Sequence, residues 1–354
     1  MTPIDKIRVL ITDDSAFMRQ ILADTLAAEA DIEVAGRARN GADAVQKALT
    51  LHPDVITMDL EMPGVTGLAA LETIMERHPT PVIMVSSRTG EGTETTLKCL
   101  EAGAFDFIQK PLVRSPEEFE RFGKELREKV RLAASSRKIA RRPVARPPFA
   151  EMPSKPRTAG PFDLLLVASS TGGPQALARV IPALPADFPV PVAVVQHMTR
   201  DFTASLAKRL DQQSKLSVVE AEDGLPLKRG MVVVAQGGRH LLIKSRQGLH
   251  CFLSDAPPLN SVRPAADLLF LSAADLAGMT SLALVLTGMG KDGTEGARAL
   301  KARGGYVLAE SSETAVVFGM PRSVIEAGMA DEVLPLYEVP EKLVEIFGKG
   351  NRYP

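Results

Sequence analysis

Cysteine is nearly absent, with only Cys99 and Cys251 in 354 residues. The two are far apart and outside any metal-like spacing, which excludes a disulfide framework and fits a reduced cytosolic compartment. A charge surplus is missing too. With 42 Lys and Arg against 43 Asp and Glu, nothing global draws the chain to nucleic acid or lipid. No apolar run approaches the roughly 18–20 residues that span a bilayer. The opening "MTPIDKIRVLITDD" also lacks the basic-then-apolar form of a signal peptide. These absences predict a soluble cytoplasmic protein with no nucleic-acid partner and no membrane insertion.

What remains is ordinary globular composition, 45% hydrophobic and 24% charged, at a length that favours two domains. Short apolar segments alternate with amphipathic ones in both halves: "IRVLIT", "VITMDL" and "PVIMVSS", then "DLLLVAS", "PVAVVQ" and "LALVLTG". Short buried strands separated by helices predict parallel α/β sheets. Between the halves, residues 136–160 hold five prolines, seven Lys or Arg and one acid. With little to bury, this stretch predicts a linker of roughly 25–30 Å root-mean-square span. The basic run has a single aromatic, Phe149, so a nucleic-acid or lipid patch is the weaker reading.

In the first half, chemistry collects at strand ends. "RVLITDDS" closes one strand with Asp13 and Asp14, and "VITMDLEMPG" closes another with Asp59. "PVIMVSS" ends at Ser86, and "AFDFIQKP" at Lys110 before Pro111. Ligand groups gather at the carboxyl ends of strands in an open parallel sheet. Three crowded carboxylates raise one another's pKa unless a cation neutralises them, and an all-oxygen set suits Mg²⁺. A single acidic pair would read as a strand-end cap, but four strand ends with complementary chemistry would not.

In the second half, "LLLVASSTGGPQAL" turns from a buried-type strand into a helix through serines and glycines. The glycines suit a phosphate cradle, but neither the G-x-G-x-x-G spacing nor a P-loop lysine is present. "ASSTG" approximates the nucleophile elbow G-x-S-x-G centred on Ser170, with Ala168 in the first glycine's place. Ser169 precedes the elbow position, which aims its side chain away from the active face. "PVPVAVVQHM" runs into His197, and "SLALVLTGMGKDG" into Asp292. Serine needs a base, and imidazole needs a carboxylate to fix its tautomer. The order Ser–His–Asp excludes the α/β-hydrolase arrangement without excluding a triad. His52, His78 and His250 read as solvated or surface residues, and Cys251 as core. His240 keeps two readings, strand residue or cleft contact.

Two resemblances carry the expectations further. "TDDS", "MDLEMPG", "VSS" and "KP" resemble a two-component receiver domain over residues 1–125, its last helix running as far as 135. That resemblance implies a flavodoxin-like five-stranded sheet, Asp59 as phospho-acceptor and Asp13, Asp14 and Asp59 around Mg²⁺. It also implies Ser86, Phe107 and Lys110 as switch residues, and a histidine kinase as phosphodonor. "SSTGGPQAL", "VVQHM", "AEDG", "APPLNSVRPAADLLF", "LTGMGKDG" and "VVFGMPRSVIEAG" resemble the chemotaxis protein-glutamate methylesterase and glutaminase family. The second domain, residues 161–350, is then a doubly wound, mainly parallel α/β catalytic domain. The resemblance implies Ser170 as nucleophile, His197 as base and Asp292 as its orienting carboxylate. It implies further that the Thr171 hydroxyl positions the histidine; the geometry of a glycine-rich turn separately makes the backbone around Met289 and Gly290 a candidate oxyanion donor. The expected substrate is a methylated chemoreceptor, with no cofactor for the ester step. The expected protein is a monomer recruited to receptor arrays, its unphosphorylated receiver restricting access to Ser170. A receiver-controlled nucleotide-binding domain, with "STGG" as an anion nest, is the competing class.

Overall fold

The computed structural model describes residues 6–86, 90–111, 115–140 and 162–348. The chain divides into two compact units, one within residues 1–143 and the other within 144–354. Most of the expected linker, residues 141–160, lies outside the described residues.

The first unit alternates β1 (Ile7–Thr12), α1 (Ala16–Ala27), β2 (Ile32–Ala38), α2 (Gly41–Leu51) and β3 (Val55–Asp59). It continues with α3 (Gly67–Arg77), β4 (Val82–Ser86), α4 (Gly90–Glu101), β5 (Asp106–Gln109) and α5 (Pro116–Ala140). Its sheet has the order β2-β1-β3-β4-β5, with all neighbouring strands parallel. Strands β3 and β4 are buried throughout, which is why they read as unbroken apolar runs rather than alternating ones. Helix starts follow their side chains: Ser15, Asn40 and Thr66 each cap a helix by accepting a backbone N–H three residues on. Helix α5 continues to Ala140, into the stretch that composition alone assigned to the linker.

The second unit opens with β6 (Leu164–Ser169), α6 (Gly173–Val180), β7 (Val192–Gln196), α7 (Arg200–Gln213), β8 (Ser217–Glu220) and β9 (Met231–Val234). The hairpin β10 (His240–Ser245) and β11 (Leu249–Ser254) follows, then α8 (Ala266–Ala274), β12 (Ser281–Val285) and α9 (Thr294–Ala302). The unit closes with β13 (Tyr306–Glu310), α10 (Met320–Glu326), β14 (Glu332–Leu334) and α11 (Val339–Gly348). Seven strands form one parallel sheet in the order β14-β13-β12-β6-β7-β9-β8. The chain leaves β6 in one direction and returns through β12 on its other side. The crevice between β6 and β12 is therefore the topological switch point, where an open α/β sheet holds its ligands.

One crossover departs from the helix rule. β8 and β9 are parallel neighbours joined by ten residues. That connection pairs with β11 instead of forming a helix: Gly224 N–H donates to Cys251 O, Cys251 N–H to Leu225 O, and Leu227 N–H to Leu249 O. The hairpin thus satisfies the backbone that a crossover helix would otherwise satisfy internally. Cys251 lies buried there, and Cys99 is buried in α4. Burial pushes both thiols up to about 12, so neither is a nucleophile at neutral pH.

Candidate active site

The turn after β6 is tight because Gly172 adopts φ +80° and Pro174 begins the first turn of α6. A Cβ on Gly173 would lie 1.9 Å from Gln196 Oε1 and 2.8 Å from Ser169 Cβ. The second glycine is therefore spent on close packing against β7, which counts against the phosphate-cradle reading.

Ser169 and Gln196 face each other across β6 and β7, so Ser170 and His197 are the next residue on each strand. The two ends are stitched together. Ser169 Oγ donates to Gln196 Oε1 at 2.7 Å, and Gln196 Nε2 donates to Ser170 O at 2.9 Å and His197 O at 3.1 Å. His197 N–H donates to Ser169 O at 3.0 Å. On the other side Ser170 N–H donates to Thr287 O at 3.0 Å. Ser169 is wholly buried while Ser170 is not, which separates their roles.

Asp292 lies seven residues beyond the end of β12, just before α9, and not at the strand end. It still reaches the histidine: His197 Nε2 is 2.7 Å from Asp292 Oδ2. The carboxylate also accepts the first amides of α8, Ala266 N–H at 2.6 Å and Asp267 N–H at 3.0 Å. Burial pushes the Asp292 carboxyl up, but the His197 contact and these amides outweigh it and hold its pKa below the ordinary value. With Nε2 donating to Asp292, Nδ1 is the ring nitrogen left to act as base, the reverse of the usual serine-protease assignment. Among the described residues the Ser170 hydroxyl makes no hydrogen bond to His197; apo catalytic contacts are often long.

Gly288 brings the next loop against Ser170, since a Cβ there would lie 2.8 Å from Ser170 Cβ. Met289 and Gly290 follow, and their N–H groups have no acceptor among the described residues. Thr171 is buried, and its carbonyl accepts the Thr287 hydroxyl at 2.9 Å.

The structure decides between the two readings of His240. It is fully buried, with Nε2 3.1 Å from Pro257 O, and its Nδ1 accepts Ala265 N–H at 3.1 Å. Both ring nitrogens are committed to the loop before α8, which leaves none for a cleft. Conversely, sequence reasoning missed Gln196, Asn260 and Asp267. The first precedes His197 in "VVQHM"; Asp267 is a buried acid in the otherwise apolar "AADLLF".

In the first unit, Asp13, Asp14 and Asp59 bring carboxylate oxygens within 4.8 Å of one another. Lys110 Nζ lies 2.7 Å from Asp59 Oδ2 and 3.0 Å from Asp13 Oδ2. One lysine cannot balance three acids. Burial, with a smaller contribution from Asp13, lifts the Asp59 carboxyl above its ordinary value despite the lysine. Burial disfavours the charged Lys110, yet Asp59 and Asp13 hold its pKa up. Hard oxygen donors, uncompensated charge and two buried acids fit a divalent cation such as Mg²⁺. The Ser86 and Thr96 hydroxyls lie 2.8 Å apart, and Thr96 also donates to Gly92 O at 2.7 Å. Phe107 is buried in β5, its carbonyl accepting from Lys129.

The raised Asp59 pKa has a testable sign. A carboxyl whose folded pKa exceeds its unfolded value favours the folded state only while protonated, and this contribution is lost as pH rises through the folded pKa. Asp59→Asn is therefore expected to raise Tm at pH 7 in chelator by a few degrees, and to lose that gain below about pH 4. Thermal denaturation at both pH values checks it; a lower Tm at pH 7 would refute the crowding account.

The family description "CheB methylesterase" matches residues 165–343, and "Response regulator receiver domain" matches residues 9–119. A Thermotoga maritima "Protein-glutamate methylesterase/protein-glutamine glutaminase" is 48% identical over 342 residues, covering 96% of this chain and 98% of that protein. A Bacillus subtilis protein of the same description is 41% identical, covering 97% and 99%. Among solved structures, the Thermotoga maritima CheB methylesterase catalytic domain is 51% identical with a TM-score of 0.51. It covers 53% of this chain and 100% of that one.

Proposed function

The chain belongs to the CheB methylesterase family, with a response regulator receiver domain ahead of the esterase domain, and on that premise we propose that it is a phosphorylation-activated serine hydrolase of chemoreceptors. Its substrates are γ-glutamyl methyl esters on the receptors' cytoplasmic helices, and it also deamidates glutamines there. The observation that carries this reading is the 2.7 Å His197–Asp292 contact beside Ser170, one residue past a stitched pair of central strands.

In this mechanism Ser170 Oγ attacks the ester carbonyl carbon while His197 Nδ1 takes its proton. Asp292 holds the ring through Nε2–H and stabilises the imidazolium. The developing oxyanion is received by the N–H groups of Met289 and Gly290, with Thr171 positioning groups beside the nucleophile. His197 then returns the proton to the departing methoxide, giving methanol and an acyl-Ser170. Water, deprotonated by His197, attacks that acyl group and releases Ser170 and a glutamate side chain. For glutamine, ammonia leaves in place of methanol. No cofactor enters the ester step.

Control lies in the receiver. Asp59 accepts a phosphoryl group from a histidine kinase, and Asp13, Asp14 and Asp59 would hold Mg²⁺, which offsets negative charge during transfer. Lys110 and Ser86 pair with the phosphoryl oxygens, and Phe107 follows the change. For Ser86 this means leaving Thr96. Unphosphorylated, the receiver restricts access to Ser170, and phosphorylation relieves the restriction through a population shift. The protein works as a monomer at receptor arrays.

Two measurements test the control. Deleting residues 1–143 is expected to raise methanol release from methylated receptor membranes about tenfold or more, since a shift of 1–3 kcal/mol is 5–150-fold. A small-molecule phosphodonor should activate the full chain, and EDTA or Asp59→Asn should prevent that. An unchanged rate after deletion would refute the inhibitory role.

A further inference from the structure

Asp292 has a buried acidic neighbour. Asp267, in the first turn of α8, is only 3% exposed. Its Oδ1 accepts Gly296 N–H at 2.8 Å, and its Oδ2 accepts Asn260 Nδ2 at 2.9 Å. The same amide nitrogen lies 3.4 Å from Asp292 Oδ1, which also takes the N–H of Asp267. One asparagine amide thus spans two carboxylates, and Asp267 reaches Asp292 both through that amide and through its own backbone. Burial and the charge of Asp292 push the Asp267 carboxyl up, so the pair needs shared donors to stay together.

The two oxygens of Asp292 are differently committed. Oδ2 serves His197 and Ala266; Oδ1 touches neither, and is oriented by Asp267 N–H and Asn260. A carboxylate is planar, so fixing Oδ1 fixes the plane in which Oδ2 meets the imidazole. Asn260 is delivered by a strained turn. It has φ +53° and Ser261 has φ +65°, a region that most non-glycine residues avoid and asparagine tolerates best. Leu259 and Val262 close the turn with reciprocal backbone hydrogen bonds of 3.2 and 3.0 Å, and buried His240 ties both flanks, Pro257 and Ala265. Strain at two adjacent positions, held by a buried histidine, points the amide at the charge pair.

We propose that Asn260 and Asp267 are positioning residues of the hydrolytic site, clamping the Asp292 carboxylate in the orientation that fixes the His197 ring. This rests on the Ser170–His197–Asp292 reading. Asn260 is exposed on its outer side, so its truncation opens no core. Asp267→Asn keeps volume but sets an amide against the Asn260 amide, donor against donor.

The test uses the full chain. kcat and KM are measured by methanol release from methylated receptor membranes, alongside the far-downfield proton resonance of the His197 Nε2–H. Asn260→Ala is expected to lower kcat about 10- to 100-fold, the range for losing an outer hydrogen bond on an activating group. KM stays unchanged and the resonance moves upfield. Asp267→Asn shifts both in the same direction; should it fail to fold by circular dichroism, Asn260→Ala decides alone. Wild-type kcat with an unmoved resonance in Asn260→Ala overturns the proposal, as does a change confined to KM, which would make Asn260 a substrate contact. His197→Ala separates the two levels. Activity retained there sinks the triad itself, whereas an inactive His197→Ala beside a fully active Asn260→Ala sinks only the clamp.

Discussion

Ser170→Ala is expected to abolish methanol release, by about 10⁵- to 10⁶-fold in kcat, with the fold intact. Members of a triad act as a unit, and loss of the nucleophile alone removes nearly all of their joint contribution. Ser170 suits such a test because among the described residues its hydroxyl makes no hydrogen bond, while its backbone N–H and C=O make the contacts that close the turn. Ser169→Ala is the informative control, with the opposite signature. Its hydroxyl is the donor to Gln196 Oε1, fully buried. Truncation strands that acceptor and is expected to cost about 1–3 kcal/mol of stability. Activity should stay within about tenfold of wild type while Tm falls. Urea denaturation paired with the methanol assay reads both; a Ser169→Ala protein as inactive as Ser170→Ala would reverse the assignment.

Asp292→Asn is expected to lower kcat by about 10⁴-fold, the scale seen when a triad carboxylate is neutralised with its geometry kept. The reason is visible in the donors around it. If the new amide nitrogen takes the place of Oδ2, it meets Ala266 N–H and the imidazole. If it takes the place of Oδ1, it meets Asp267 N–H and the Asn260 amide. Neither orientation suits donors on every side. In the first, the imidazole can respond only by accepting at Nε2, which moves its proton to Nδ1 and removes the base that faces the serine. Stability follows a definite sign. A carboxyl whose folded pKa is depressed contributes stability above its unfolded pKa, and loses it as pH falls through the folded pKa. The variant should therefore melt below wild type at pH 7, and the gap should close below about pH 4. A gap that widened on acidification would contradict the proposed charge state.

Much of this was legible in the chain, and the part that was not has a common cause. Asp13, Asp59, Ser86 and Lys110 stand at the ends of buried apolar strands, and a parallel sheet gathers such ends whatever the loops do. The placement of Ser170 and His197, each just past a strand end, was readable for the same reason. Asp292 was singled out by residue type and does contact His197, although the distance from its strand was misjudged because a glycine-rich stretch carries no periodicity. The contacts that Gln196, Asn260 and Asp267 make around these residues were invisible. A polar side chain's partner depends on which loop crosses it, and residues 255–265 have neither helical nor strand spacing. His240 was left open for the same reason: only the crossing loop shows that both of its nitrogens are used. The continuation of α5 into a basic, proline-bordered stretch was also hidden, since the composition of residues 136–140 resembles the tail more than the helix.

The stitch between β6 and β7 constrains how such an enzyme is governed. Ser170 and His197, the proposed nucleophile and base, stand side by side one residue beyond adjacent strands, their carbonyls bridged by the Gln196 amide and the turn packed without slack at Gly173. Machinery built this way is hard to bend into an idle form without breaking strands. Under the proposed control, the receiver is accordingly a tethered competitor for the substrate's place and not a lever on the chemistry. It acts at the effective concentration its tether sets. Its signature is an apparent affinity that changes with phosphorylation around a nearly constant maximal rate.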